Sequence, residues 1–137
     1  MKKLSLLLLL SVLLSCSPAR KYAESSKHWE KEITELVSQD QTRAYPDNSI
    51  LFIGSSSIRL WNNIEKDMAP YPVIQRGFGG SNLRDVLVYE DRIINPHKFR
   101  AIVIFVANDI TGGKADKAPE EVFTLYKQLV QSIRKDH

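Results

Sequence analysis

Ile50-Leu51-Phe52-Ile53-Gly54-Ser55-Ser56-Ser57-Ile58-Arg59-Leu60-Trp61 is the stretch on which the fold turns. Ser49 to Ile53 is a short apolar run rich in β-formers, and a run without polar alternation predicts a strand buried on both faces. A glycine and three serines follow at once. Ile58, Trp61 and Ile64 then suggest a helix, with Pro70 and Pro72 closing that segment. Strand, tight polar turn and helix together open a βαβ unit.

Further along, Val73 to Gln75 forms a second strand candidate. Leu83, Val86, Leu87, Glu90, Ile93 and Ile94 describe an amphipathic helix bounded by Pro96. Ala101 to Val106 (AIVIFV) is the clearest strand in the chain. Gly112-Gly113 marks a loop, Pro119 suits the first position of a helix, and Val122, Tyr126, Leu129 and Ile133 line one face of it. Upstream, Trp29, Ile33, Leu36 and Val37 share one helical face across Ser26 to Gln39, followed by a polar connector containing Pro46. Repeated βαβ units predict an α/β fold: three-layer α/β/α, a parallel sheet and right-handed crossovers.

The chain has 137 residues, 43% hydrophobic and 26% charged, with 19 Lys+Arg against 16 Asp+Glu. These globular proportions exclude a disordered tail, a collagen-like repeat and a coiled coil, and the length allows one domain at most. The single cysteine excludes a disulfide scaffold and a Cys-based zinc site. Lys2 and Lys3 precede an apolar run from Leu4 to Leu14, which is too short for a hydrocarbon core needing about twenty residues. That pattern reads as a secretory signal. Leu13-Leu14-Ser15-Cys16 resembles a bacterial lipobox, so residues 1–15 are expected to be removed and Cys16 lipidated. Residues 16–26 then read as a polar tether and 27–137 as the domain. Removing residues 1–15 takes two lysines and no acid, lowering the net charge from +3 to +1. The basic pI is therefore no argument for nucleic acid.

In open parallel sheets, sites form outside the carboxyl ends of the strands. Three strands end here in polar or glycine-rich segments: Gly54-Ser55-Ser56-Ser57, Gly77-Phe78-Gly79-Gly80-Ser81-Asn82 and Ala107-Asn108-Asp109. Acyl transfer needs a nucleophilic hydroxyl and preorganised N–H donors for the oxyanion. A serine at a strand-to-helix turn supplies the first. A glycine amide unshielded by a Cβ and an uncharged asparagine amide supply the second.

These blocks resemble the SGNH (GDSL-type) hydrolase family. Gly54-Ser55-Ser56 is similar to its first block, with Ser55 where the family usually has aspartate, and ILFIGSSSIRLW looks like a branch that makes this replacement. QRGFGGSN resembles the second block and carries over to Gly80. VANDI resembles the third and carries over to Asn108, with Ala107 where many members have glycine. The upstream WEKEI also looks like this branch, so the likeness runs from Trp29 to the C-terminus. It implies a flavodoxin-like SGNH fold and a serine esterase acting on acyl esters, short-chain or sugar acetyl, through an acyl-enzyme. Ser56 is then the nucleophile, and Ser56, Gly80 and Asn108 form the oxyanion hole, with no metal or organic cofactor. Its partners are a small-molecule or carbohydrate ester and, through the N-terminal lipid, the membrane of a bacterial cell envelope on its periplasmic or outer side. The family's fourth block, Asp-x-x-His, has no counterpart, because Asp136-His137 has the wrong spacing. The general base and its aspartate are therefore expected outside this chain. Residues 27–137 read as the N-terminal part of a longer domain, poorly active alone and left with an unpaired sheet edge.

Other readings of the same residues remain. Ser55, Ser56 and Ser57 also suit a helix cap. A dinucleotide fingerprint would need glycine where Asn82 stands. G-x-S-x-G fails at Ile58. Asp109 reads as a structural cap on its loop. His28 and His97 read as solvated surface residues, and the three histidines show no metal-ligand spacing. A non-catalytic envelope lipoprotein that binds carbohydrate or a protein partner with the same fold is the alternative function.

Overall fold

Three strands form one parallel sheet in the computed structural model, which describes residues 18–137. The signal segment and Cys16 lie outside the described residues. In chain order the elements are α1 (Pro18–Ser26), α2 (Glu30–Ser38), β1 (Ile50–Gly54), α3 (Ser56–Arg59), α4 (Ile64–Asp67), β2 (Val73–Gly77), α5 (Leu83–Ile93), β3 (Ala101–Phe105) and α6 (Pro119–Asp136). The strand order is β2-β1-β3, with Gly54 in register with Gly77 on one side and Phe105 on the other.

Central position explains why β1 is apolar throughout. Leu51 and Ile53 face a core built with Ile33, Ile74, Phe78 and the buried sides of α5 and α6. Phe52 faces the opposite layer, where it packs with Ile58, Ile64, Val73 and the partly buried Trp61 and Met68. Helices thus cover both faces of the parallel sheet, as the sequence predicts.

Four local expectations are corrected. The tether reading fails over Pro18–Ser26, which is helical and packs on α5. Ser26 is fully buried, its Oγ donates to Asp85 Oδ1 (2.5 Å), and its carbonyl accepts the Tyr89 hydroxyl (3.0 Å). The single helix expected over Ser26 to Gln39 is interrupted by a 3₁₀ turn at Lys27–Trp29, next to that pinned serine. The helix expected from Ile58 to Ile64 splits into α3 and α4. Gln75 Nε2 donates to the carbonyls of Ile58 (2.6 Å) and Trp61 (3.2 Å), so these acceptors are held by the sheet where the helix breaks. In α6 the buried stripe is Leu125, Leu129 and Ile133, and Tyr126 is exposed. Leu125 turns toward the core, whereas Tyr126 lines an open groove of about 340 Å³ beside Ile104 and Val106.

Among the described residues, β3 pairs on one side only. On the face it shares with Phe52, Val103 and Phe105 are 40% and 49% exposed. Phe123 of α6 is 67% exposed.

Candidate active site

The first strand end turns sharply. Ser55 is buried, and its N–H reaches the Phe105 carbonyl (3.3 Å). Ser56 opens α3 and is partly exposed, and Ser57 is exposed. The Gly54 carbonyl accepts the Phe78 N–H (3.0 Å) and the Ser81 hydroxyl (3.5 Å), which stitches the glycine loop to the end of β1. A Cβ at Gly77 would collide with the backbone of Ile58 and Arg59, so glycine there lets α3 lie directly on β2.

The glycine loop is shaped from outside. Gly79 has φ +41°, and any side chain on it would overlap the Trp29 ring, which also meets Phe78 edge-on at 5.8 Å. Its N–H donates to Glu32 Oε1 (2.9 Å). The next residue, Gly80, is exposed, and a Cβ on it would stand 3.9 Å from Asn108 Nδ2. That Nδ2 donates to the Ser81 carbonyl (2.8 Å). One hydrogen of the carboxamide is thereby spent on fixing its orientation, and the second remains for a ligand. Neither the Ser56 N–H nor the Gly80 N–H has an acceptor among the described residues.

Asp109 is 2% exposed. Its carboxylate accepts the Leu83 N–H (2.8 Å) at the start of α5 and pairs with Lys117, which is the structural role expected of it. Ser56, Gly80 and Asn108 therefore all stand at one end of the sheet, on loops joined by hydrogen bonds. The strand order places them at a reversal. The chain leaves β1 toward one edge for β2 and returns to the other for β3, and ligands in doubly wound sheets bind outside such a switch point.

The histidines are elsewhere or engaged. His28 is exposed, with Nδ1 at the Ser25 carbonyl (3.0 Å) and its ring against Trp29. His97 is buried, which corrects the expectation of a solvated side chain. Its ring packs edge-on against Tyr45 (5.7 Å) and faces Asp40 at 3.8 Å, while Asp40 pairs with the fully buried Arg76. Burial and the Arg76 charge hold the His97 pKa below its ordinary value, against the pull of Asp40. His97 itself lies just before β3, at the start of the strands, where the Arg100 N–H meets the Ser49 carbonyl (2.9 Å). His137 packs on Phe99 (4.5 Å) at the same end. Among the described residues, no group of three His, Cys, Asp or Glu is disposed to hold a metal ion, and no helix is long and apolar enough to cross a membrane.

Sequence reasoning noted WEKEI but gave its side chains no role at the site. The structure puts Trp29 and Glu32, one helical turn apart, on the glycine loop. The spacing of an aromatic and an acid at i, i+3 was the available signal, and only the fold shows which loop they meet.

No family model matches the chain, and no curated protein matches it. Among solved structures, a protein from Streptococcus pneumonia named for platelet activating factor is similar with a TM-score of 0.66 at 23% identity. The match covers 98% of this chain and 56% of that one, so the chain spans little more than half the length of this neighbour. The likeness is one of fold.

Proposed function

We propose that the chain carries the nucleophile and oxyanion-binding part of a serine esterase of the SGNH type. The observation that supports it is that the amides of Ser56 and Gly80, without acceptors among the described residues, and the oriented carboxamide of Asn108 all stand at the same end of one sheet. In this reading Ser56 Oγ attacks the ester carbonyl carbon and passes its proton to a general base. The carbonyl oxygen becomes an oxyanion held by the three N–H donors. The C–O bond to the alcohol breaks, the alcohol takes the proton from the base, and water then attacks the acyl-enzyme to release the acid and free serine. His97 and His137 stand at the far end of the sheet, and His28 is held by Ser25 and Trp29. The base and its orienting aspartate are accordingly assigned to a segment outside residues 1–137. The substrate is an acyl ester of small alcohols or of a carbohydrate.

In a polypeptide that includes the base, Ser56→Ala abolishes hydrolysis of p-nitrophenyl acetate, and residues 1–137 alone hydrolyse little of it. Undiminished turnover by Ser56→Ala overturns the assignment. A polypeptide with the base present and no turnover of any ester leaves the non-catalytic binding reading instead.

The leader is read as delivering the domain to a bacterial envelope, anchored through a lipid on Cys16. In the sequence that cysteine stands two positions before Pro18, with which the described part of α1 begins, so the domain would sit close against the membrane surface. Fatty-acid label is expected in the parent and absent in Cys16→Ala, and equal incorporation in both contradicts the anchor.

A further inference from the structure

Glu32 lies 47 positions before the amide it binds, on a helix that carries none of the residues assigned to the reaction. One oxygen of its carboxylate serves two partners, since Oε1 accepts the Gly79 N–H (2.9 Å) and stands 3.4 Å from Arg59 Nε. Gly79 immediately precedes the oxyanion glycine, and Arg59 is three residues past the nucleophile on α3. The carboxylate therefore bridges the two segments whose relative placement decides whether Ser56 and Gly80 reach one carbonyl group.

Two further contacts make the bridge directional. The Trp29 ring closes the space a Gly79 side chain would need, so the loop backbone lies against α2 and the surrounding turn. The Gly79 N–H is turned to Glu32, and the next amide, that of Gly80, has no acceptor among the described residues, while a Cβ on Gly80 would stand 3.9 Å from Asn108 Nδ2. A charged acceptor makes the stronger kind of amide hydrogen bond, which suits a group that must hold a glycine-rich loop still.

We propose that Glu32 is a positioning residue for acyl transfer, fixing the Gly80 amide relative to Ser56 through the Gly79 N–H and Arg59. This role rests on the esterase reading above. Misplacement of a reacting group by about 1 Å costs on the order of 10²-fold in rate.

The test uses the polypeptide that includes the base. Glu32→Ala is expected to lower kcat by about 10²-fold with KM little changed, and to speed hydrogen exchange at the Gly79 amide. Glu32→Gln keeps an acceptor for that amide and is expected to restore most of kcat. A folded Glu32→Ala protein with the parent kcat overturns the role of Glu32 and leaves the esterase reading standing. If Glu32→Ala does not fold, a folded Glu32→Gln enzyme slowed by about 10²-fold overturns it too. A parent that turns over no ester overturns both.

Discussion

Asn108 shows how one side chain is prepared by its surroundings. Its Nδ2 is already bonded to the Ser81 carbonyl, so the carboxamide plane is set before any ligand arrives. Preorganised donors of this kind cost no reorganisation when charge develops, and removing one typically costs about 10²–10³ in kcat. Asn108→Ala is expected to lose that much with KM nearly unchanged, measured by steady-state hydrolysis of a short acyl ester. A kcat within about threefold of the parent would contradict its proposed place in the oxyanion hole. The candidate residues at this scale were legible because each follows a strand and belongs to a short, chemically distinctive block. Glu32 was not, because a carboxylate on an amphipathic helix looks like any solvated acid until the loop it meets is known. His97 was misread for a similar reason. It follows Pro96 in a polar stretch, and only the packing of Tyr45, Asp40 and Arg76 around it reveals a buried ring.

At the scale of elements, the strands were the most legible, since β1 and β3 are short unbroken apolar runs. The helices were less so where tertiary contacts override periodicity. Gln75 takes the carbonyls at which a longer helix would have continued, and the buried Ser26 sits where α1 gives way to a 3₁₀ turn. The packing of α5 carries a pH dependence. Glu90 is 5% exposed, and burial pushes its pKa up to about 7, helped by the charges of Asp91 and Asp136 and opposed by a hydrogen bond from Ser132 of α6. A carboxyl whose folded pKa is raised contributes stability that is complete below its ordinary value and is lost as pH rises through the folded value. The contribution therefore fades between about pH 4.5 and 7. Glu90→Gln keeps the neutral shape, so it is expected to flatten the pH dependence in that window. Above pH 7 it should exceed the parent in stability, with an upper limit of about 3 kcal/mol. Urea unfolding at pH 5 and pH 8 checks this, and an equal fall in both proteins would contradict it.

Across the whole molecule, the order β2-β1-β3 accounts for both the placement of the candidate site and the exposed face of β3. It brings the ends of all three strands together at a topological switch, where a ligand can approach. Among the described residues it also leaves β3 as an edge, with Val103 and Phe105 exposed on a strand that has no charged residue to discourage pairing. The histidines complete the picture, with two at the opposite end of the sheet from Ser56 and one engaged with Ser25. In the proposed reading, Ser56 is the nucleophile, and Ser56, Gly80 and Asn108 hold the oxyanion. The most direct measurement is mass spectrometry of the polypeptide including the base after reaction with a serine-directed fluorophosphonate. The account predicts one adduct, on the peptide containing Ser56, and none in Ser56→Ala. An adduct on another residue, or labelling that survives the substitution, would contradict it.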